Sequence, residues 1–236
     1  YPALPVNFPT DTLFKARIRF GGEKFIGEIA DSFRTFLTND RKDLNVVYGE
    51  INNLVSKDDK TIVFQNHAIA TVPIEERQLL SGLSGAETTL GTGGVVDRYD
   101  TINTYFGNQH QHGMTKTEGG FVWFDMRQKA IVEIRLNEGL WEVTKATGLA
   151  GYFSEVFVDN LGNTVQAQPI NSPEFSETAD RPIAGVGITG WYDPKFKMTY
   201  LTFKFKNYPA ADKPLAKDFT IGYYHPDKVI IGFFDV

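Results

Sequence analysis

No cysteine occurs in the 236 residues. That excludes disulfide staples, thiolate nucleophiles, thiolate-ligated zinc and iron–sulfur clusters together. It does not restrict the compartment, because a chain of this size buries a core large enough to need no cross-link. Long apolar runs are missing too. None approaches the roughly 18–20 residues that cross a bilayer, so no membrane partner is expected. Basic charge is not in excess: 24 Lys and Arg stand against 29 Asp and Glu, a net charge of −5. A phosphate-binding surface needs the opposite balance, so sequence-specific nucleic-acid recognition is not expected. The chain opens on Tyr1-Pro2 without a Met or a charged-then-apolar leader. It is expected to be a processed product or a piece of a longer protein.

Aromatic residues and glycine are abundant. Phe, Tyr and Trp make up 14% of the chain, beside 22 glycines. Aromatics suit a half-buried pleated surface, and glycine suits tight turns, so the composition points to many short strands. The pattern agrees. Residues 61–65 and 68–72, 121–125 and 130–135, and 219–224 and 229–234 each read as apolar strand, polar turn, apolar strand. A fourth pair, 187–191 and 200–205, brackets Asp193-Pro194-Lys195, a good turn sequence. Lys15 to Phe20 alternates with period two and stops at Gly21-Gly22. Within 131–135, alternation puts Ile131 and Glu133 on one face, Val132 and Ile134 on the other.

One amphipathic helix is expected from Thr147 as N-cap, with Leu149, Tyr152, Phe153, Val156 and Phe157 on one stripe and an end near Gly162. Shorter helical turns are expected from Ser32 through Leu37 and from Glu75 to Leu80, the latter followed by a Gly/Ser/Thr-rich loop, Ser81 to Gly94. Residues 169–182 read as a surface excursion. The fold class is all-β, mainly antiparallel hairpins and β-propeller-like, with a few short inserted helices. The whole of 1–236 is read as one mostly-β domain or part of a larger propeller-like protein.

Chemistry-bearing motifs are sparse. His110-Gln111-His112, if extended, would point both imidazoles to one side, where they could share a metal. No third ligand accompanies them, and a surface or subunit-contact loop is the stronger reading. His67 and His225 fall in hairpin turns, where structural roles are expected. Gly91, Gly93 and Gly94 fail the phosphate-loop spacing because Val occupies position 96. Ser84 lacks the closing glycine of a nucleophile elbow. Asp125 and Asp193 sit at strand ends, where Asp normally bonds its own backbone, and Arg98 and Arg135 are expected to be solvated or paired. No catalytic, cofactor-binding or metal-binding residue is assigned. The candidate interface positions are Ser84, Glu87 and Thr92 in one polar loop and Asn108, His110 and His112 in another.

The strand and turn motifs occur in a recognisable order. Tyr48-Gly49-Glu50-Ile51-Asn52-Asn53-Leu54 is followed by Phe64-Gln65-Asn66-His67-Ala68-Ile69, then by Leu90-Gly91-Thr92-Gly93 and Arg98. Phe106-Gly107-Asn108-Gln109-His110, Gly119 to Asp125, the helix from Gly148, and Gly190-Trp191-Tyr192-Asp193-Pro194-Lys195-Phe196 continue it. Over roughly residues 48 to 205 this resembles the muzzle, nozzle or "stabilisation" tail proteins of crAss-like short-tailed bacteriophages. The resemblance implies a non-enzymatic virion component, assembled in the bacterial host cytoplasm. It also implies copies around a symmetry axis, contacts with other tail proteins, and closure or extension of the DNA conduit. The rival expectation is a glycan-binding or glycan-degrading propeller-type module, with carboxylates converging in a pocket and Trp123, Trp141 or Trp191 as stacking platforms.

Overall fold

The computed structural model describes residues 14–22, 27, 31–57, 60–74, 78–81, 87–90, 95–159, 187–204 and 218–235. The expected alternation appears first as β1 (Arg17–Arg19), paired with β2 (Arg41–Asp43). Next come β3 (Ile51–Lys57), β4 (Lys60–Gln65), β5 (Ile69–Val72), β6 (Gln78–Ser81), β7 (Glu87–Leu90) and β8 (Asp100–Asn103). A second run contains β9 (Thr115–Lys116), β10 (Gly120–Asp125), β11 (Ala130–Arg135) and β12 (Gly139–Glu142), then α1 (Val143–Ala146) and α2 (Ala150–Asp159). The last run is β13 (Gly187–Asp193), β14 (Met198–Lys204), β15 (Phe219–Tyr224) and β16 (Val229–Asp235).

Among the described residues all strand pairs are antiparallel, and most join neighbours in sequence; the exception is β8, which pairs with β5 past the separate β6–β7 hairpin. Three four-stranded sheets result, ordered β3-β4-β5-β8, β12-β11-β10-β9 and β13-β14-β15-β16. The four hairpins read from the sequence are all present in register. Three of their turns share one form: Met126–Lys129, Pro194–Lys197 and His225–Lys228 each end on a lysine with φ between 52° and 55°. Asp125 Oδ1 accepts from the backbone N–H of Arg127 and Gln128, and Asp193 Oδ1 from Lys195, so both aspartates cap their own turns as expected.

The sheets stack face to face, and strand alternation decides which side chain enters which seam. Phe121, Trp123, Val132 and Ile134 meet Ile62, Phe64 and Ile69 of the β3–β8 sheet. Their sequence neighbours Val122, Phe124 and Ile131 point the other way, into a seam with Ile188, Leu201, Phe203, Ile221 and Tyr223. On the far side of the β3–β8 sheet, Val63, Ala70 and Val72 pack against Ala16, Ile18 and Leu44. Among the described residues the sheets form an open stack. The antiparallel hairpins and short helices match expectation, and among the described residues no closed propeller or barrel is seen.

Three local expectations are corrected. The helix placed from Thr147 is present as α2 but starts later, at Ala150: Thr147 ends α1, its hydroxyl donating back to the Val143 carbonyl, and Gly148 at φ 75° redirects the chain before α2. Of the apolar stripe, Phe153 is fully buried against Phe124, while the side chains of Val156 and Phe157 lie outside the described residues. Residues 78–80, read as the end of a helical turn, form a strand with Ser81, because Leu79 and Leu80 pair with β-branched Thr89 and Thr88. The stretch read as a continuous loop to Gly94 therefore contains β7. The turn from Ser32 is a single 3₁₀ turn, Ser32–Arg34, and Phe36 and Leu37 beyond it are exposed. Residues 169–182 lie outside the described residues.

Candidate functional site

Two polar clusters interrupt the apolar seams. In the first, three sequence-distant motifs converge. Segment 106–110 lies between the β3–β8 and β9–β12 sheets, with Asn108 and His110 fully buried. Trp123 Nε1 donates to the Gly107 carbonyl at 2.7 Å, and the Gly107 N–H donates to Asp125 Oδ2 at 2.8 Å. Gln109 Oε1 accepts from the Met126 N–H at 2.9 Å, while its Nε2 donates to the Asn66 carbonyl. Asn108 Nδ2 donates to Asn53 Oδ1 at 2.7 Å, and Asn52 Nδ2 donates to the Asn108 carbonyl. Gln65 closes the knot by donating to the carbonyls of Asn45 and Gly49. Burial pushes the Asp125 carboxyl above its usual range, and the backbone N–H groups of Gly107, Gln128 and Arg127 pull it back. This is cross-linking chemistry: amides and backbone satisfy one another without leaving a reactive group.

The second cluster lies in the seam between the β9–β12 and β13–β16 sheets. Glu133 shares the face of Ile131, as alternation requires, and is 1% exposed. Its Oε2 accepts from the Tyr223 hydroxyl at 2.8 Å; its Oε1 accepts from Arg135 Nε at 2.9 Å and His225 Nδ1 at 3.1 Å. An ionised carboxylate can only accept, so Nδ1 carries the imidazole proton, and Nε2 lies 2.7 Å from the buried Thr199 hydroxyl. Arg135 continues outward to Glu138 and to the His225 carbonyl. Lys228 donates to Glu138 and sits 4.9 Å from the Trp141 ring centroid. The β11–β12 and β15–β16 turns are thereby strapped together.

Electrostatics follow from those contacts. Burial alone would raise the Glu133 carboxyl, but donors from His225, Arg135 and Tyr223 outweigh it and hold it down to about 2. Burial, then the Glu133 charge, pushes the Tyr223 phenol up. Lys228 and Arg135 hold Glu138 below its usual range. A cavity of about 410 Å³ opens beside this network, lined by Glu118, Glu133, Arg135, Asn137, Glu138, Tyr192, Lys197 and His225 among others.

The residues singled out from sequence are scattered. Ser84 and Thr92 lie outside the described residues, and Glu87 begins β7 opposite Ser81. Asn108 and His110, expected in a surface loop, are interior: their segment fills a seam of the same chain. His112 is exposed on the 3₁₀ turn Gln111–Gly113, so it and His110 diverge rather than share one side. Among the described residues no group of three His, Asp or Glu side chains is placed to hold a metal ion. Trp123 is buried, whereas Trp141 and Trp191 are exposed. Arg98 pairs with Asp100 and Arg135 with Glu133. Sequence reasoning missed the Glu133 network. Its one signal was a glutamate on the apolar face of Ala130-Ile131-Val132-Glu133-Ile134.

No described helix is long and apolar enough to cross a membrane. A family model described as Crassvirus muzzle protein matches residues 1–173. The match includes the first 47 residues, which carry none of the motifs on which the resemblance was read. Comparison with curated proteins gives no match.

Proposed function

The chain belongs to the Crassvirus muzzle protein family, and on that premise we propose that it closes or extends the DNA conduit of a phage tail by subunit packing. Membership makes it a phage structural protein and implies association with other virion proteins. The finer reading places several copies around the tail axis, each contributing propeller-like sheets to the wall, in virions assembled in the host cytoplasm. The role is mechanical and non-enzymatic.

The family match over 1–173 carries this reading, and features of the fold support it. Three four-stranded antiparallel sheets packed face to face, two of them chain-order meanders and one with the β6–β7 hairpin inserted, resemble the four-stranded unit from which propeller blades are built. The last sheet carries Trp191 and Phe234 on its outer face, 59% and 46% exposed, with Trp191 stacked on Tyr200. Such a face suits packing against a neighbour. The net charge of −5 disfavours adsorption of passing DNA. Ser84, Glu87, Thr92 and His112 remain the proposed contact residues. Buried Asn108 and His110 support the His112 turn from beneath.

A cryo-electron-microscopy map of assembled particles tests the proposal. The expected result is density for several copies around the tail axis, with the outer face of the β13–β16 sheet covered. A single copy per tail, or that face open to solvent in every copy, would sink it.

A further inference from the structure

The cavity beside Glu133 has the make-up of a ligand site, and nothing in a conduit-wall role uses it. Its volume, about 410 Å³, lies within the range of small-ligand pockets. Its polar lining is dominated by planar, forked groups: the carboxylates of Glu118, Glu133 and Glu138, the Arg135 guanidinium and the Asn137 amide. Two are fixed in place, because Glu133 and Glu138 hold Arg135 from one side while the His225 carbonyl accepts from it on the other. The Tyr192 ring packs edge-on to His225 at 5.4 Å, and burial, then the nearby Glu118 charge, pushes its phenol up. The Asn137 amide and Lys197 ammonium have no side-chain partner among the described residues, although both line the cavity.

Charge decides the ligand class. Glu133 and Glu138 are neutralised by Arg135 and Lys228, leaving Glu118 against Lys197. Counted with Lys228, which pairs with Glu138 from just outside the lining, the wall has no net excess of either sign and attracts neither an anion nor a cation strongly. Forked donors and acceptors match instead the paired, adjacent hydroxyls of a pyranose ring, each of which both donates and accepts. Tyr192 supplies an aromatic surface for the ring's C–H face. We propose that the cavity between the β11–β12 turn and the β13–β14 and β15–β16 turns binds a single neutral pyranose unit of a glycan, held by Glu118, Asn137 and Lys197 beside Arg135 and Tyr192. Glu133 and Glu138 are both held ionised by their cations, so neither serves as the protonated acid that glycoside hydrolysis needs, and the proposal is of binding alone.

Saturation-transfer NMR on the full chain tests this, with methyl glycosides of glucose, galactose and N-acetylglucosamine as probes and glycine and methyl phosphate as charged controls. The expected result is saturable binding of at least one glycoside, with a dissociation constant on the order of 1 mM for a ligand of about a dozen heavy atoms. Neither control should bind. Asn137→Ala and Lys197→Gln, both at exposed positions outside the Glu133 network, should each weaken binding about three- to tenfold with an unchanged circular dichroism spectrum. Lys116→Gln, away from the cavity, should leave it unaltered. Absence of binding by every glycoside overturns the proposal. So does binding of a control in their place, or glycoside binding that both cavity variants leave intact. The outcome is independent of ring assembly, which the particle map reads separately.

Discussion

The Tyr223 hydroxyl donates a 2.8 Å hydrogen bond to Glu133 Oε2, joining strands from two sheets across 90 positions of chain. Because His225 and Arg135 use the other carboxylate oxygen, one buried charge fastens β11 to the β15–β16 hairpin. Removing it takes the acceptor from the Tyr223 hydroxyl and His225 Nδ1 and leaves the Arg135 charge with Glu138 and the His225 carbonyl alone. Glu133→Ala is therefore expected to destabilise the chain by about 3–5 kcal/mol, whereas Tyr223→Phe, which removes one bond, costs about 1–2 kcal/mol. Urea unfolding midpoints check both. Equal, small losses would show that the seam stands on apolar packing alone.

The same carboxylate makes stability depend on acidity. Its folded-state value of about 2 lies below the ordinary 4.5, so the unfolded chain binds the proton more readily. The contribution is fully present above about pH 5 and is lost as pH falls toward 2. It amounts to roughly 3 kcal/mol over that window. Glu133→Gln should flatten the acid limb of a stability–pH curve; an unchanged limb would assign acid sensitivity to other carboxylates.

Gln109 joins two sheets through two backbone groups, the Met126 N–H and the Asn66 carbonyl. Gln109→Leu keeps the volume but leaves both buried and unpaired, which costs about 2–4 kcal/mol. For a chain of this length that lowers the melting temperature by about 2–4 °C per kcal/mol, readable by calorimetry.

Two glycines should respond in opposite directions to alanine. A Cβ on Gly107 would lie 2.2 Å from the Asn66 carbonyl oxygen, so Gly107→Ala forces the backbone of the buried segment apart and should abolish soluble folding. Gly151, in α2, meets nothing within 4 Å, so Gly151→Ala should stabilise by about 0.5–1 kcal/mol. Soluble expression and thermal melts of the pair decide.

The exposed aromatic face offers a surface test. Trp191→Ser combined with Phe234→Ser should leave monomer stability within about 0.5–1 kcal/mol, since both side chains are largely solvated, yet reduce self-association in light scattering. Unaltered association would move the proposed contact elsewhere.

Much of the strand layout was legible because period-two alternation and turn chemistry act over a few residues. Asp125 and Asp193 cap the turns read for them, and Ile131 and Glu133 share the face that alternation assigns. Local reading failed where a neighbour overrode propensity. Gly148, in a left-handed conformation, delayed the start of the helix placed from Thr147, and pairing with Thr88 and Thr89 made a strand of a segment read as helical.

By itself, then, the order of residues determined the hairpins, the absence of thiol chemistry and the likeness to phage tail proteins. Only tertiary structure decided that Asn108 and His110 are interior and that Glu133, Tyr223, His225 and Thr199 form one network. The physical reason is range. Periodicity records which way a side chain points along its own strand, whereas burial and hydrogen bonding depend on which distant strand arrives to face it.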